Sequence, residues 1–205
     1  IVQRLLATAD VLVQNFRPGA MDKLGLGLDA VRAIKPDIIY VSISGFGSRG
    51  PSAGKRVYDP VIQALSGITD IQADADTDRP RMVRTVIPDK TTALTAAQAI
   101  TAALLGRERN GQGQHVDLAM IDATIAYLWP EGMINFTVVD DTRDVRVGQI
   151  AQDLIFKTSD GYITAGAMSD DEWRGMCQVL GRPEWVEDAR FKTTGARFTN
   201  ASERI

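Results

Sequence analysis

The sequence has 205 residues, 44% hydrophobic and 24% charged, with a formal net charge of −3. These are the proportions of an ordinary globular chain. Lys and Arg are scattered among Asp and Glu, so no basic stripe suits nucleic acid, and nothing favours a membrane surface. Cys177 is the only cysteine and His115 the only histidine. That excludes a disulfide framework, a zinc cluster and most nucleophile-histidine catalysis, and leaves carboxylates, hydroxyls and backbone to do chemistry without a metal.

Strand and helix patterns alternate from the start. Val11 to Val13 reads as a short buried strand, Asp29 to Ile34 as part of a capped helix, and Ile38 to Ile43 as a second strand. Strand, helix, strand predicts a parallel pair joined by a crossover. A glycine-rich loop from Gly45 to Gly54 follows. Asp59-Pro60 then reads as an N-cap with proline at the first helical position, opening a helix to about Leu65. The acidic stretch Asp70 to Asp78 reads as a solvated loop, and Met82 to Ile87 as an extended strand. A helix of small apolar residues is expected over Thr91 to Leu105. It contains Thr95, Gln98 and Thr101 and is too short for the ~20 apolar residues of a bilayer crossing. His115 to Ala119 looks like another strand, running into a helix from Ile121 to Leu128.

The pattern lapses around Asp140 to Val147, where a linker is expected. Beyond it, Leu154 to Thr158 and Tyr162 to Ala165 flank Ser159-Asp160-Gly161 as a hairpin. Ser169-Asp170-Asp171-Glu172 spells a capping box for a helix closed by Gly181 and Pro183. The expected organisation is a large α/β domain with a parallel Rossmann-like sheet over residues 1–139, a linker at 140–150, and part of a smaller α+β domain over 151–205. Cys177 and the three tryptophans, Trp129, Trp173 and Trp185, read as core or interface residues. There is no signal peptide, so the chain reads as cytoplasmic. Both termini fall in helix-like sequence without caps, which suggests a segment of something longer.

Asp89 is the most informative position. It lies between the expected strand and the long helix, where ligands meet open α/β sheets and helix amides point outward. It either caps its helix or faces a ligand. Gly45, Gly47 and Gly50 match the spacing G-x-G-x-x-G, but Pro51 to Gly54 prolong the loop where a dinucleotide fingerprint must open a helix. Asn15-Phe16-Arg17-Pro18-Gly19 follows the first strand. There Arg17 suits a phosphate and Phe16 a planar base, or the segment is simply a Pro-Gly turn.

Taken in order, Asn15-Phe16-Arg17-Pro18-Gly19, Leu24-Gly25, Ser44-Gly45-Phe46-Gly47, Tyr58-Asp59, Gln63-Ala64, Ser66-Gly67, Pro88-Asp89, Gly111-Gln112-Gly113-Gln114 and Asp122-Ala123 resemble the family III CoA-transferases. The resemblance runs from about Ala9 to Phe191. It implies that residues 1–139 form a CoA-binding domain incomplete at its N-terminus, and that the smaller domain lacks its C-terminal part. Asp89 would be the nucleophile that carries CoA as an aspartyl thioester between an acyl-CoA and a free carboxylic acid. Asn15, Phe16, Arg17, Lys23 and Leu24 would hold the nucleotide end of CoA, with Arg56, Val57 and Tyr58 a second contact and Asp59 an acidic residue near the reacting centre. It also implies a homodimer of interlocked chains. A glycine loop of the family would be represented at best by Gly148-Gln149. Alternatives are a 2-methylacyl-CoA racemase, whose proton-transfer histidine is replaced here by Tyr58, a poor base at neutral pH, and a non-catalytic CoA-binding or assembly module.

Overall fold

The computed structural model describes residues 1–74, 77–130, 132–133, 154–200 and 203. The expected linker at 140–150, including Gly148-Gln149, lies outside them. The chain divides into two compact units, Ile1–Pro130 and Glu131–Ile205.

In the first unit, β1 (Val11–Gln14), β2 (Ile39–Ser44) and β3 (His115–Ala119) form a parallel sheet in the order β1-β2-β3. Ile39, Val41 and Ile43 alternate with Tyr40, Ser42 and Ser44, so β2 has one apolar and one more polar face. Fully buried Ile39 and Val41 pack with Ala103 of the long helix, and Val11, Ile100, Leu104 and Val116 close around them. On the opposite face, Tyr40 joins Leu6 of α1 (Val2–Leu6), Val31 of α3 (Leu28–Ile34) and Ile38 in a second core. A short helix, α2 (Ala20–Lys23), follows the turn after β1. The helix α3 forms as expected but has Gly27 at its N-cap and no side-chain cap.

The long helix α6 (Ile87–Asn110) has 24 residues, about 36 Å at 1.5 Å per residue. Its buried positions Pro88, Thr92, Ala96 and Ala103 make a stripe of small side chains on the packed face. The helix ends at Gly111, whose φ of +69° suits glycine. In the last turn Arg107 reaches Asp10 at 2.8 Å and the Asp37 carbonyl at 3.4 Å, tying α6 to the segments that enter β1 and β2. The strand expected over Met82 to Ile87 does not form. Residues 82–86 are irregular and Ile87 already belongs to α6. Pro88 suits a first helical turn, and the Val83 backbone is bonded by a glutamine side chain rather than by a neighbouring strand.

Between β2 and α6 lie α4 (Asp59–Leu65) and α5 (Ile68–Ile71), so Asp70, expected in a loop, sits in a helix. After β3 comes α7 (Met120–Leu128). Trp129, beyond it, is exposed rather than core.

The second unit opens with the antiparallel hairpin β4 (Ile155–Lys157) and β5 (Tyr162–Thr164). In α8 (Asp170–Val179) the capping box is complete: Ser169 Oγ accepts the Glu172 N–H at 3.2 Å, and the Glu172 carboxylate accepts the Ser169 N–H at 2.9 Å. Trp173, Cys177, Phe191 and Ala167 form the core, with Trp185 against it. Burial pushes the Cys177 thiol up, away from the reactive thiolate. From α9 (Thr194–Thr199), fully buried Arg197 donates to Asp170 at 2.6 Å and to the Phe191 carbonyl at 2.9 Å, with its guanidinium 5.7 Å from the Trp173 ring centre. These partners compensate a charge that would otherwise be costly to bury.

Candidate active site

All three parallel strands end on the same edge of the sheet, where ligands meet open α/β folds. A recess of about 530 Å³ opens there, within the size range of small-molecule sites. The segment after β1 contributes Asn15, Phe16, Arg17 and Pro18, and the end of β2 with the next residue contributes Ile43, Ser44 and Gly45. The following loop brings Ala53, Lys55, Arg56, Val57 and Tyr58, and the helices bring Asp59, Asp89, Thr92, Ala93 and Met120. Thus Asn15, Phe16, Arg17, Arg56, Val57, Tyr58, Asp59 and Asp89 come together from separate elements and loops. Lys23 and Leu24, at the end of α2, do not line this recess. Ser44 Oγ, also on the wall, is buried without a hydrogen-bond partner among the described residues.

The glycines of the loop serve its path. A Cβ on Gly45 would fall 1.8 Å from Val57 Cγ1, so glycine there lets the returning loop lie against the end of β2. Gly47 and Gly50 adopt φ of +80° and +87°. No helix opens until α4, as the prolonged loop in the sequence implies.

Two carboxylates meet at the floor of the site. Asp59 is not the N-cap of α4; Tyr58 holds that position. The Asp59 side chain turns inward, 4% exposed, and accepts from Gln63 Nε2 at 2.7 Å and from the Asp89 N–H at 3.1 Å. It therefore caps α6 from another helix. The remaining first-turn amides of α6 are also taken: Ile87 N–H donates to the Thr85 carbonyl at 3.0 Å and Lys90 N–H to the Val86 carbonyl at 3.3 Å, while Pro88 has none. These bonds leave no place for the capping alternative at Asp89 or for the outward-pointing helix amides expected there. Asp89 does not cap its helix, since Val86 occupies the N-cap with no side-chain bond, and the helix amides are not free to meet a ligand.

Asp89 itself stands as the third residue of α6 with its side chain exposed at the recess. Among the described residues no hydrogen bond or ion pair holds its carboxylate. Partial burial, then the nearby charge of Asp59, pushes its pKa above the ordinary aspartate value, with Lys90 pulling the other way. A carboxylate with unengaged lone pairs and a raised pKa is more basic than one locked in a salt bridge, which favours a nucleophilic role.

Arg17, Lys55 and Arg56 line the same recess. Lys55 was not singled out in the sequence, although its position beside Arg56 gives a basic pair. His115 lies elsewhere, lining a smaller recess with Asp117 and with Ser42, whose Oγ is 3.0 Å from His115 Nε2. It does not line the recess that holds Asp89. Among the described residues no cluster of His, Cys, Asp and Glu could hold a metal ion, and no helix is long and apolar enough to cross a membrane.

Residues 1–205 match the sequence model of CoA-transferase family III. A succinate–glutarate CoA-transferase of Agrobacterium fabrum is 32% identical over 207 residues, covering 99% of this chain and 51% of that protein. An acetyl-CoA:oxalate CoA-transferase of Acetobacter aceti is 33% identical over 204 residues, covering 98% and 52%. The crystal structure of a CaiB/BaiF family protein from Brucella suis superposes with a TM-score of 0.79 at 35% identity, covering 99% of this chain and 54% of that one. The chain thus spans about half the length of the relatives it matches. With the family model matching throughout and a solved relative sharing the fold at this identity, the chain belongs to CoA-transferase family III.

Proposed function

We propose that this chain is the part of a CoA-transferase that carries its nucleophile, and that the whole protein moves CoA from an acyl-CoA to a free carboxylic acid through Asp89. The observation that carries the reading is the Asp89 carboxylate, unbonded among the described residues and with a raised pKa, in one recess with Arg17, Lys55 and Arg56. Asp89 attacks the thioester carbonyl of the donor; the C–S bond breaks and CoA leaves as a thiolate, giving a mixed anhydride. The thiolate then attacks the aspartyl carbonyl and releases the donor acid, leaving Asp89 as a CoA thioester. The acceptor carboxylate attacks that thioester, and the thiolate expelled takes the acceptor acyl group from the second anhydride, returning Asp89 as a carboxylate. Each exchange is split into smaller steps by the covalent intermediate.

In this reading Arg17, Lys55 and Arg56 bind the phosphates of CoA, and Phe16, more than half exposed at the strand end, packs on its base. Asn15, Val57 and Tyr58 line the remaining wall, and Lys23 and Leu24 extend the nucleotide contact beyond it. Asp59 keeps the end of α6 in place beside the reacting carbonyl. Because every first-turn amide of α6 is engaged, the negative charge developing on the thioester oxygen must be met by groups other than those amides. The protein is expected to act in the cytoplasm as a homodimer, on small acids such as the dicarboxylates named for its relatives. The test incubates the full-length protein with a panel of acyl-CoA donors and acceptor acids and follows CoA exchange by mass spectrometry. Exchange between at least one pair is expected; its absence across the panel would refute the reading.

A further inference from the structure

Gln63 lines no part of the recess, yet its buried amide joins the acidic pair to the chain that enters α6. Its Oε1 accepts the Val83 N–H at 3.0 Å. Its Nε2 donates to Asp59 Oδ1 at 2.7 Å and to the Thr85 carbonyl at 3.0 Å, with the Val83 carbonyl at 3.4 Å. These partners fix the amide one way round: turned over, it would set an oxygen against the Asp59 carboxylate and two carbonyls, and an N–H against the Val83 N–H. Asp59, held by one oxygen, offers the other to the Asp89 N–H at 3.1 Å. The relay therefore runs from Gln63 through Asp59 to the backbone of Asp89. A second arm runs from Gln63 through residues 83–85 to the same helix start.

We infer that Gln63 is a positioning residue for the Asp89 nucleophile, acting through Asp59. The inference rests on the transfer reading above. Polarity along the relay dictates which substitutions break it and which pair restores it. In Gln63→Glu, carboxylate oxygens face each other at positions 63 and 59. In Asp59→Asn, one amide must meet two donors, the Gln63 Nε2 and the Asp89 N–H, with a single acceptor. Combined, the two changes reverse the polarity. The amide introduced at position 59 donates its N–H to the carboxylate introduced at position 63, and its carbonyl oxygen accepts the Asp89 N–H. The new carboxylate still accepts the Val83 N–H, but its other oxygen faces the Thr85 and Val83 carbonyls that Nε2 had served, so those bonds are lost and the rescue is partial.

The test measures, in the full-length protein, the rate of CoA adduct formation on Asp89, kcat and the KM for acyl-CoA. A charged hydrogen-bonded contact sets the scale at on the order of 10- to 100-fold. Gln63→Glu is expected to lower kcat and the adduct rate by that factor with KM nearly unchanged, and the double variant to recover about tenfold over Gln63→Glu. A residue that merely supports the fold would not be rescued by removing a second buried partner. Gln63→Glu at wild-type kcat, or a double variant no faster than Gln63→Glu, overturns the inference while wild-type labelling leaves the transfer reading intact. A wild-type protein that never acquires CoA overturns both. Should Gln63→Glu not fold, Gln63→Met removes the same bonds without adding charge and is expected to lose kcat to a similar extent; wild-type kcat in that variant also overturns the inference.

Discussion

Replacing Asp59 by Ala removes an acceptor that two donors share. The Asp89 N–H at the start of α6 loses its partner, while Gln63 Nε2 retains the Thr85 carbonyl. A donor left unsatisfied in the interior costs about 1–3 kcal/mol. The small void left by the carboxylate adds to this. Relief of repulsion with Asp89 opposes it, but Asp89 is exposed and solvent screening limits that gain to roughly 0–1 kcal/mol. The net is a loss of about 2 kcal/mol, or about 4–8 °C in Tm for a domain of this size, measured by calorimetry at pH 7. The same change has a second, separable consequence. Asp59 helps raise the Asp89 pKa, so its removal should move the acid limb of the kcat/KM profile to lower pH, since the nucleophile must be ionised. An unchanged Tm together with an unmoved acid limb would refute the placement of Asp59 as cap and electrostatic neighbour of Asp89.

Gly113 tests the join between β2 and β3. A Cβ there would lie 2.5 Å from the Ile38 carbonyl oxygen and 2.6 Å from the Asp37 carbonyl carbon, backbone atoms that cannot rotate away, so Gly113→Ala should cost about 1–3 kcal/mol in denaturant unfolding. Gly111→Ala meets no atom but must hold a left-handed φ of +69°, for about 1–2 kcal/mol. Arg17→Ala should weaken CoA binding by about tenfold or more in calorimetry while leaving Tm within about 1 °C, because the side chain is exposed and makes no structural bond among the described residues; unchanged affinity would remove Arg17 from the nucleotide site.

The parallel sheet was legible because its signals are local. Ile39, Val41 and Ile43 alternate within six residues, and the capping box of Ser169 and Glu172 closes within four. What escaped depends on partners distant in sequence. Residues 82–86 carry strand-like side chains, but the Val83 backbone is satisfied by Gln63, twenty positions earlier. Asp59 followed by Pro60 has the local grammar of a cap, and only the tertiary fold shows that it caps a helix beginning nearly thirty residues later. The same bond removes the cap reading of Asp89 by supplying the cap from elsewhere, and no partner holds its carboxylate among the described residues. The grouping of Asn15 to Arg17 with Arg56 to Asp89 followed from motif order rather than from any local rule. Lys23 and Leu24, at the end of α2, lie off the recess wall.

The central claim is that Asp89 is a nucleophile, and the measurement closest to it is the mass of the peptide that carries it. When the full-length protein is given acyl-CoA without an acceptor acid, that peptide should gain the mass of CoA less water, and hydroxylamine should release the CoA and leave Asp89 as a hydroxamate. Asp89→Asn should acquire no adduct and transfer no CoA. It should also melt no lower than the wild type at neutral pH. The Asp89 pKa is raised in the fold, so its ionisation lowers stability as pH rises through that value, and an amide escapes this penalty. Undiminished CoA transfer by Asp89→Asn, verified free of deamidation, or a CoA adduct on any other residue, would contradict the account.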